Sequence, residues 1–473
     1  MGERTAASGH CVADRGLLAA ALPGGPTIVL GVAALLAFLL VPDPVGAVVA
    51  LLLFTALATV APYLSLLALL AGLPLHFIAR RSLGPLELSL PDVLLLSLVL
   101  GGLARVYWSG LLRGSSSLAA PLRRAYRSPY FWPTLVLIAI STVLMVLIPP
   151  QTRRQLIVGF RAYSLIVEPL AVYAVVVACM RDRARTWLLL DVLFVGALLV
   201  SFWGCIEAVD YAVNPRPEVG GYHRVQSVFN HPNTLALYLS RLLPLYAALG
   251  ILLPRTTRRK AVYLGGAVLM AITMLLSGSR GGWLAVAAAA VPIALMGHTY
   301  RWLVPAGGAG AVGVLLLALS GQNRLSNLLR PGRGSADTRE RLWRSAVEKI
   351  GESPLWGSGL GNVSWMRRYI PRKRLEGTEL VDAHNLVLDF WAKLGIIGLA
   401  AILALLFRFY LLALRTFRRA SGETTPLLVG LVAAMTAAIV HGLVDAFYFG
   451  LPLAVLFWLF LGLVEVLATE PGG

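Results

Sequence analysis

Arginine, histidine and asparagine residues recur where apolar segments begin or end, and they are the residues of this chain best suited to chemistry. Arg224 precedes an Asn-His-Pro-Asn cluster at residues 230–233, and Arg280 lies in a glycine-rich turn between two apolar runs. His384 follows Asp382 by two residues and opens another apolar run. Guanidinium groups bind phosphate oxygens bidentately, and a histidine can accept a proton near neutral pH. These residues therefore suit a reaction at a phosphate-bearing substrate.

The glycines beside Arg280 favour a functional role, because they leave its guanidinium unshielded for an anion. The alternative is that Arg280 reaches lipid headgroups or pairs with a loop carboxylate. His384 could act as a general base oriented by Asp382, or only cap the following helix, and the residues alone favour neither. For the pair His441 and Asp445, one helical turn apart, a structural role is favoured. No set of His, Asp and Glu has metal-ligand spacing, so no metal or other cofactor is predicted.

The composition excludes an ordinary soluble enzyme. Of 473 residues, 58% are hydrophobic and only 14% are charged, and the net charge is +18. Apolar runs bounded by charge, Pro or Gly lie at 27–41, 45–61, 63–79, 89–107, 131–149, 161–180, 186–208, 232–253, 261–277, 281–297, 301–319, 386–412, 427–445 and 449–468. Pro62 either separates two of these runs or kinks one helix. The pattern predicts an all-α polytopic membrane protein with about 12 to 14 transmembrane helices.

The distribution of arginine predicts the orientation. Short loops rich in arginine indicate the cytoplasmic side, and here they lie at 108–130, 180–185, 254–260 and 413–426. The loops predicted to face outward are 150–160, 209–231, 278–281 and 320–385. The predicted divisions are a cytoplasmic tail at 1–26, a transmembrane bundle at 27–319, a periplasmic loop at 320–385 with an amphipathic helix at 338–350, and C-terminal transmembrane helices at 386–473.

The segment where the predicted loop 320–385 ends and the next apolar run begins resembles a known signature. His384-Asn385, then nine residues, Gly395, two residues and Gly398 resemble the signature of the O-antigen ligase and O-antigen polymerase-like superfamily of bacterial envelope proteins. Arg280 with Leu284 resembles the Arg-x-x-x-Leu motif of the same family. Further resemblances are Arg224 with Phe229, Pro232 and Asn233, and the loop residues 341–343 and 353–361.

The resemblance implies a glycosyltransferase of GT-C-like architecture in the bacterial inner membrane, inverting and independent of metal. The implied donor is a glycan on undecaprenyl pyrophosphate, and the implied acceptor is a sugar hydroxyl on lipid A–core at the periplasmic face. The residues assigned to catalysis are His384, Arg280 and Arg224. The residues assigned to substrate binding are Arg161, Arg339, Asn385, His231 and Asn233.

Other functions compete with this interpretation. A polymerase would use the same donor bond but extend repeat units on the lipid carrier, and a third variant would transfer the glycan to a protein hydroxyl. The joint presence of the two motifs favours the ligase. A flippase for lipid-linked oligosaccharides would place charged groups along a path through the membrane, whereas the candidates here gather at one interface. A structural scaffold would not need Arg280 in a glycine turn. The partners expected are the lipid-linked donor, the acceptor glycan and membrane lipids, with no nucleic acid.

Overall fold

The computed structural model describes residues 25–83, 86–113, 123, 125–180, 182–214, 224–254, 256–298, 335–369 and 382–469. The chain divides into two compact units, Met1–Pro121 and Leu122–Gly473. The predicted apolar run at 301–319, most of the predicted tail at 1–26 and parts of the predicted loop at 320–385 lie outside the described residues.

The first unit consists of apolar helices and one small hairpin. Its elements are α1 Gly25–Leu40, α2 Val45–Val60, α3 Pro62–Gly72, a 3₁₀ turn Leu73–Phe77, β1 Arg80–Leu83, β2 Leu86–Ser89 and α4 Leu90–Arg113. The two strands pair antiparallel, with Arg80 opposite Ser89. Pro62 begins α3, a position where the missing N–H costs no helical hydrogen bond, so Pro62 separates two helices.

The second unit carries every candidate site residue. Its helices are α5 Phe131–Leu147, α6 Arg153–Val167, α7 Leu170–Cys179, α8 Arg183–Val213, α9 Pro232–Leu252, α10 Arg258–Leu276, α11 Arg280–Met296, α12 Ser335–Glu352, α13 Leu386–Phe417, α14 Thr424–Gly442 and α15 Leu451–Thr469. The helices α9, α14 and α15 are the most buried spans of the unit. Small side chains such as Ala285, Ala433 and Ala437 allow α9, α11 and α14 to pack closely.

The prediction of an all-α polytopic membrane protein is confirmed. In the part of the chain that the structure describes, eight helical stretches are long and apolar enough to cross a membrane, one of them being α6 and α7 taken together as Arg153–Cys179. Five shorter apolar helices accompany them. Large apolar side chains such as Phe202, Trp203 and Phe407 lie exposed on the outer surfaces of these helices. Such exposure is expected where a helix faces lipid, because lipid tails are as apolar as the side chains.

One predicted loop is wrong. The stretch 150–160 was expected to be an outer loop, but α6 begins at Arg153, because the Thr152 side chain accepts a hydrogen bond from the Gln155 N–H and caps the helix. The apolar run that follows is broken at Pro169, between the end of α6 at Val167 and the start of α7. A proline at this position cannot donate the helical hydrogen bond, which explains the break.

The helix α13 is interrupted at Gly395, whose φ of 69° is left-handed. The interruption frees two carbonyl groups, which accept hydrogen bonds from the loop instead. Ser358 N–H donates to the Ala392 carbonyl at 2.8 Å, and Gly359 N–H donates to the Lys393 carbonyl at 3.0 Å. The glycine-rich loop segment at 353–361 therefore docks its backbone into the break, and its glycines serve this close approach.

The predicted loop helix is present and slightly longer than expected. It is α12, Ser335–Glu352, which includes the predicted 338–350. Its residues Leu342 and Ala346 are buried against Trp365, Met366 and the Ala392 side of α13. This packing fixes α12 beside the start of α13, where His384 lies.

Candidate active site

Asp445 joins three separate parts of the second unit. It lies in the turn between α14 and α15, and its side chain is only 4% exposed. Its Oδ1 is 2.9 Å from His384 Nδ1. Its Oδ2 accepts hydrogen bonds from Arg339 Nη2 at 2.5 Å and from Asn233 Nδ2 at 3.2 Å. One buried carboxylate therefore brings together residues from the start of α9, from α12 and from the turn before α13.

The turn before α13 orients the His384 ring. The His384 N–H donates to Asp382 Oδ1 at 3.0 Å, and its Nδ1 lies 3.1 Å from the same oxygen. The backbone φ of His384 is 50°, a left-handed conformation that is uncommon outside glycine. Because Nδ1 faces Asp382 and Asp445, Nε2 is the ring nitrogen that remains for a substrate. The side chain is 33% exposed, so a substrate can reach it.

The two carboxylates keep His384 charged. Burial lowers the pKa of His384, but the charges of Asp382 and Asp445 and the hydrogen bond to Asp445 outweigh burial and raise this pKa to about 9. Burial raises the pKa of Asp445, but the hydrogen bond and charge of His384 and the charge of Arg339 hold it well below its ordinary value. At neutral pH the free site therefore contains an ionised Asp445 and a largely protonated His384.

Asn233 connects Arg224 to this carboxylate. Arg224 Nη2 donates to Asn233 Oδ1 at 2.7 Å, and Arg224 Nε donates to the Ser277 carbonyl at 2.9 Å. The Asn233 side chain therefore accepts from Arg224 and donates to Asp445. The bond to Ser277 also fixes Arg224 to the turn that precedes Arg280.

Arg280 is exposed and is the first residue of α11. The Ser279 side chain caps this helix by accepting a hydrogen bond from the Gly282 N–H. A Cβ atom built on Gly281 would lie 3.0 Å from His441 Cδ2 and equally close to the Val444 side chain. A side chain at 281 would crowd both residues, so glycine suits the close approach of the start of α11 to the end of α14, next to the turn that carries Asp445.

Two predicted binding residues have clear structural contacts. His231 caps α9, because its Nδ1 accepts a hydrogen bond from the Asn233 N–H at 3.1 Å. Partial burial and the charge of Arg224 lower the pKa of His231, so it is neutral at pH 7. Asn385 caps α13 through its Oδ1, and its Nδ2 donates to the Leu443 carbonyl at 2.8 Å. Both side chains therefore orient the elements of the site.

The remaining arginines differ in the residues that they contact. Arg339 alone among the three arginines of α12 contacts Asp445, while Arg341 pairs with Asp337 on its own helix. The guanidinium of Arg344 lies over the ring of Tyr369, 5.4 Å from its centre. Arg161 is exposed on α6, and its contribution to substrate binding stays a prediction.

Two acidic residues were missed as members of the site. Asp445 was assigned a structural role, although its position one helical turn after His441 gave a signal. Glu207 on α8 accepts hydrogen bonds from the N–H groups of Gln226 and Ser227, at 3.1 and 2.6 Å, and so holds the segment that follows Arg224. No motif in the sequence pointed to Glu207.

Among the residues that the structure describes, no group of three His, Cys, Asp or Glu side chains could hold a metal ion. Arg224, Arg339, the protonated His384 and Arg280 at the adjoining start of α11 give four cationic groups, against the three carboxylates of Asp382, Asp445 and Glu207. Such an arrangement can hold a phosphate-bearing anion and stabilise negative charge that develops on it. The fold and site therefore define a polytopic membrane protein with a cationic site at the ends of its helices.

Comparison with known families agrees with this class. Residues 265–403 match the family model described as O-antigen ligase, and the match confirms the resemblance to the O-antigen ligase and polymerase-like superfamily. The matched range includes Arg280, Arg339 and His384. Members of this family are glycosyl-transferring enzymes. A comparison with curated proteins found no match.

Proposed function

We propose that the protein is an O-antigen ligase of the bacterial inner membrane. It transfers a glycan from undecaprenyl pyrophosphate to a sugar hydroxyl on lipid A–core at the periplasmic face. The observation that carries the proposal is the convergence of His384, Arg339 and Asn233 on Asp445, with Arg224 held by Asn233. These contacts bring residues from four separate parts of the chain together at one carboxylate, which supports a common role for them in transfer.

The proposed step is a single displacement. The acceptor oxygen attacks the anomeric carbon of the donor, and the bond from that carbon to the phosphate oxygen breaks. The electron pair leaves with undecaprenyl pyrophosphate, and the configuration at the anomeric carbon inverts. Arg280 and Arg224 stabilise the charge that develops on the pyrophosphate, as a bound cation does in metal-dependent transferases. Arg339 and Arg161 support the binding of the anionic donor.

The proton of the acceptor hydroxyl goes to His384 Nε2 when the imidazole is neutral. Asp445 and Asp382 then stabilise the imidazolium that forms, since Nδ1 already faces both carboxylates. With a pKa of about 9, roughly one molecule in a hundred carries the neutral base at pH 7. The neutral imidazole is a strong base but is present in only a small fraction of the molecules. This fraction grows with pH, so transfer should accelerate as the pH rises toward 9.

The test uses the purified full-length protein with an undecaprenyl-pyrophosphate oligosaccharide, with and without lipid A–core. Products are identified by mass. Glycan on the core, formed only when the core is present, supports the ligase. Arg280→Ala and His384→Ala should each abolish transfer, whereas Arg341→Gln, a matched loop arginine outside the cluster, should retain it. Full activity in both the Arg280 and His384 variants would refute the site assignment.

The same experiment separates the alternatives. A ladder of products on the polyprenyl carrier without any core would identify a polymerase, which requires the same donor bond. Transfer to an added protein acceptor would identify the third variant. Transport of the intact donor across a vesicle membrane, with no bond broken, would favour a flippase and refute the proposed transfer.

A further inference from the structure

A buried ion pair lies on the first turns of α13, outside the residues assigned to the reaction. Lys393 Nζ is 3.0 Å from Asp389 Oδ2 and 2.9 Å from Oδ1, and the two residues are one helical turn apart. The side chains are only 1% and 9% exposed. Removing two charges from water is costly, and a well-packed apolar pair is often at least as stable. Stability therefore gives no sufficient reason for this pair.

The carboxylate of the pair holds the backbone directly before the histidine. Asp389 Oδ1 accepts a hydrogen bond from the N–H of Ala383 at 2.9 Å. The next residue is His384, whose positive φ needs support from its surroundings. The carboxylate of Asp389 thus fixes the approach to the turn in which Asp382 and Asp445 contact the imidazole.

The lysine of the pair lies where two other segments meet α13. Its ammonium is 4.0 Å from the ring centre of Phe449, in the turn that carries Asp445. Its backbone carbonyl accepts the hydrogen bond from Gly359, where the loop docks beside the break in the helix. The ammonium keeps Asp389 paired, so that the carboxylate remains an acceptor for Ala383.

We propose that Asp389 is a positioning residue for His384, that it acts through its hydrogen bond to the Ala383 N–H, and that Lys393 compensates its charge. This inference rests on the proposed function, because it assigns His384 a part in transfer. Neither residue of the pair touches the reacting atoms. Their contribution should therefore appear in kcat and in the pH dependence of transfer, with little change in KM for the donor.

Two double variants isolate the hydrogen bond from the charges. Asp389→Asn/Lys393→Met removes both charges but keeps a side-chain oxygen for the Ala383 N–H. Asp389→Leu/Lys393→Met removes the same charges and the oxygen as well. Each is compared with the wild type for kcat, KM, pH profile and thermal unfolding in detergent.

The asparagine double variant should retain kcat close to the wild-type value. The leucine double variant should lose kcat by about 100-fold, as expected when a catalytic group is misplaced by about 1 Å. The rising part of the pH–rate profile of this variant should also move to lower pH, because His384 loses its fixed position beside Asp382. A role in folding alone would lower the unfolding temperature without shifting the pH–rate profile.

Equal kcat in the two double variants, whether high or low, would overturn the proposal. If the leucine variant does not fold, Asp389→Ala/Lys393→Met makes the same comparison with a smaller side chain. Transfer by the wild type tests the proposed function separately from the positioning role. Wild-type transfer together with equal double variants refutes only the positioning role, whereas a wild type without transfer refutes the function itself.

Discussion

Replacement of Asp445 by asparagine tests how the site controls its histidine. The substitution keeps the size of the side chain and an oxygen for hydrogen bonding, but it removes the negative charge beside His384 Nδ1. The pKa of His384 now stands at about 9, against an ordinary value of 6.5, and Asp382 and Asp445 cause the rise. A carboxylate in contact with a cationic group raises the pKa of that group by about 1 to 3 units. Asp445→Asn should therefore lower the pKa of His384 by about 1 to 2 units, because Asp382 remains.

The assay is kcat/KM for glycan transfer between pH 5.5 and 10. For the wild type, the rate should rise with pH to a midpoint near 9, the pKa of the free site. For Asp445→Asn, the midpoint should move to lower pH by about 1 to 2 units, and the plateau should fall because the base is weaker. Asp337→Asn is the matched control, since Asp337 pairs with Arg341 and not with His384.

Two results would refute the reasoning. An unchanged midpoint in Asp445→Asn would show that this carboxylate does not control the protonation of His384. A wild-type rate that falls as the pH rises through 9 would show that the charged imidazole is the active form. His384 would then act as a cation or a proton donor, and the general base would have to be another group.

Further predictions concern the loop, the helix break and the stability of the site. Arg339→Gln should lower kcat/KM by about 10- to 100-fold, because it removes a cation that stabilises charge at the site. Arg341→Gln, two positions along the same helix, should change kcat/KM by less than about threefold, because Arg341 pairs with Asp337 instead. Gly395→Ala should lower the unfolding temperature more than Gly422→Ala, because both have positive φ but only a Cβ at 395 would lie 1.9 Å from a backbone oxygen; equal losses would contradict this. His384 should stabilise the fold fully below pH 6.5 and lose that contribution as the pH rises to about 9, because its folded-state pKa is raised. The wild type and His384→Gln, unfolded side by side across this range, should therefore differ less at high pH.

Much of the architecture could be predicted from apolar patterning. Long uncharged runs must be helical in lipid, so the helices of the second unit were expected close to their observed bounds. The exceptions arise from local chemistry. Thr152 caps α6 earlier than the hydropathy pattern indicated, and Pro169, directly after Glu168, divides the run predicted at 161–180.

The candidate site could be predicted only where its residues share a recognisable local pattern. Arg280 is marked by adjacent glycines, and His384 by the glycines that follow it at fixed spacing. Asp445 lies 61 residues beyond His384 in the numbering and has no such neighbours, so only the fold brings it to the imidazole. The exchange of carbonyl partners at Gly395 is equally invisible in the sequence, because it depends on a close approach between two distant segments of backbone.

The docked segment at 353–361 has a consequence for chimeric proteins. Loops vary more among relatives than the elements they connect, so they are common sites of exchange. Here, however, the loop backbone supplies hydrogen-bond donors to Ala392 and Lys393 within a membrane-spanning helix. A graft that removed it would leave two carbonyl groups without partners in an apolar environment. Exchange boundaries should therefore fall outside 353–361, so that α13 keeps the loop segment whose N–H groups bind its two free carbonyl groups.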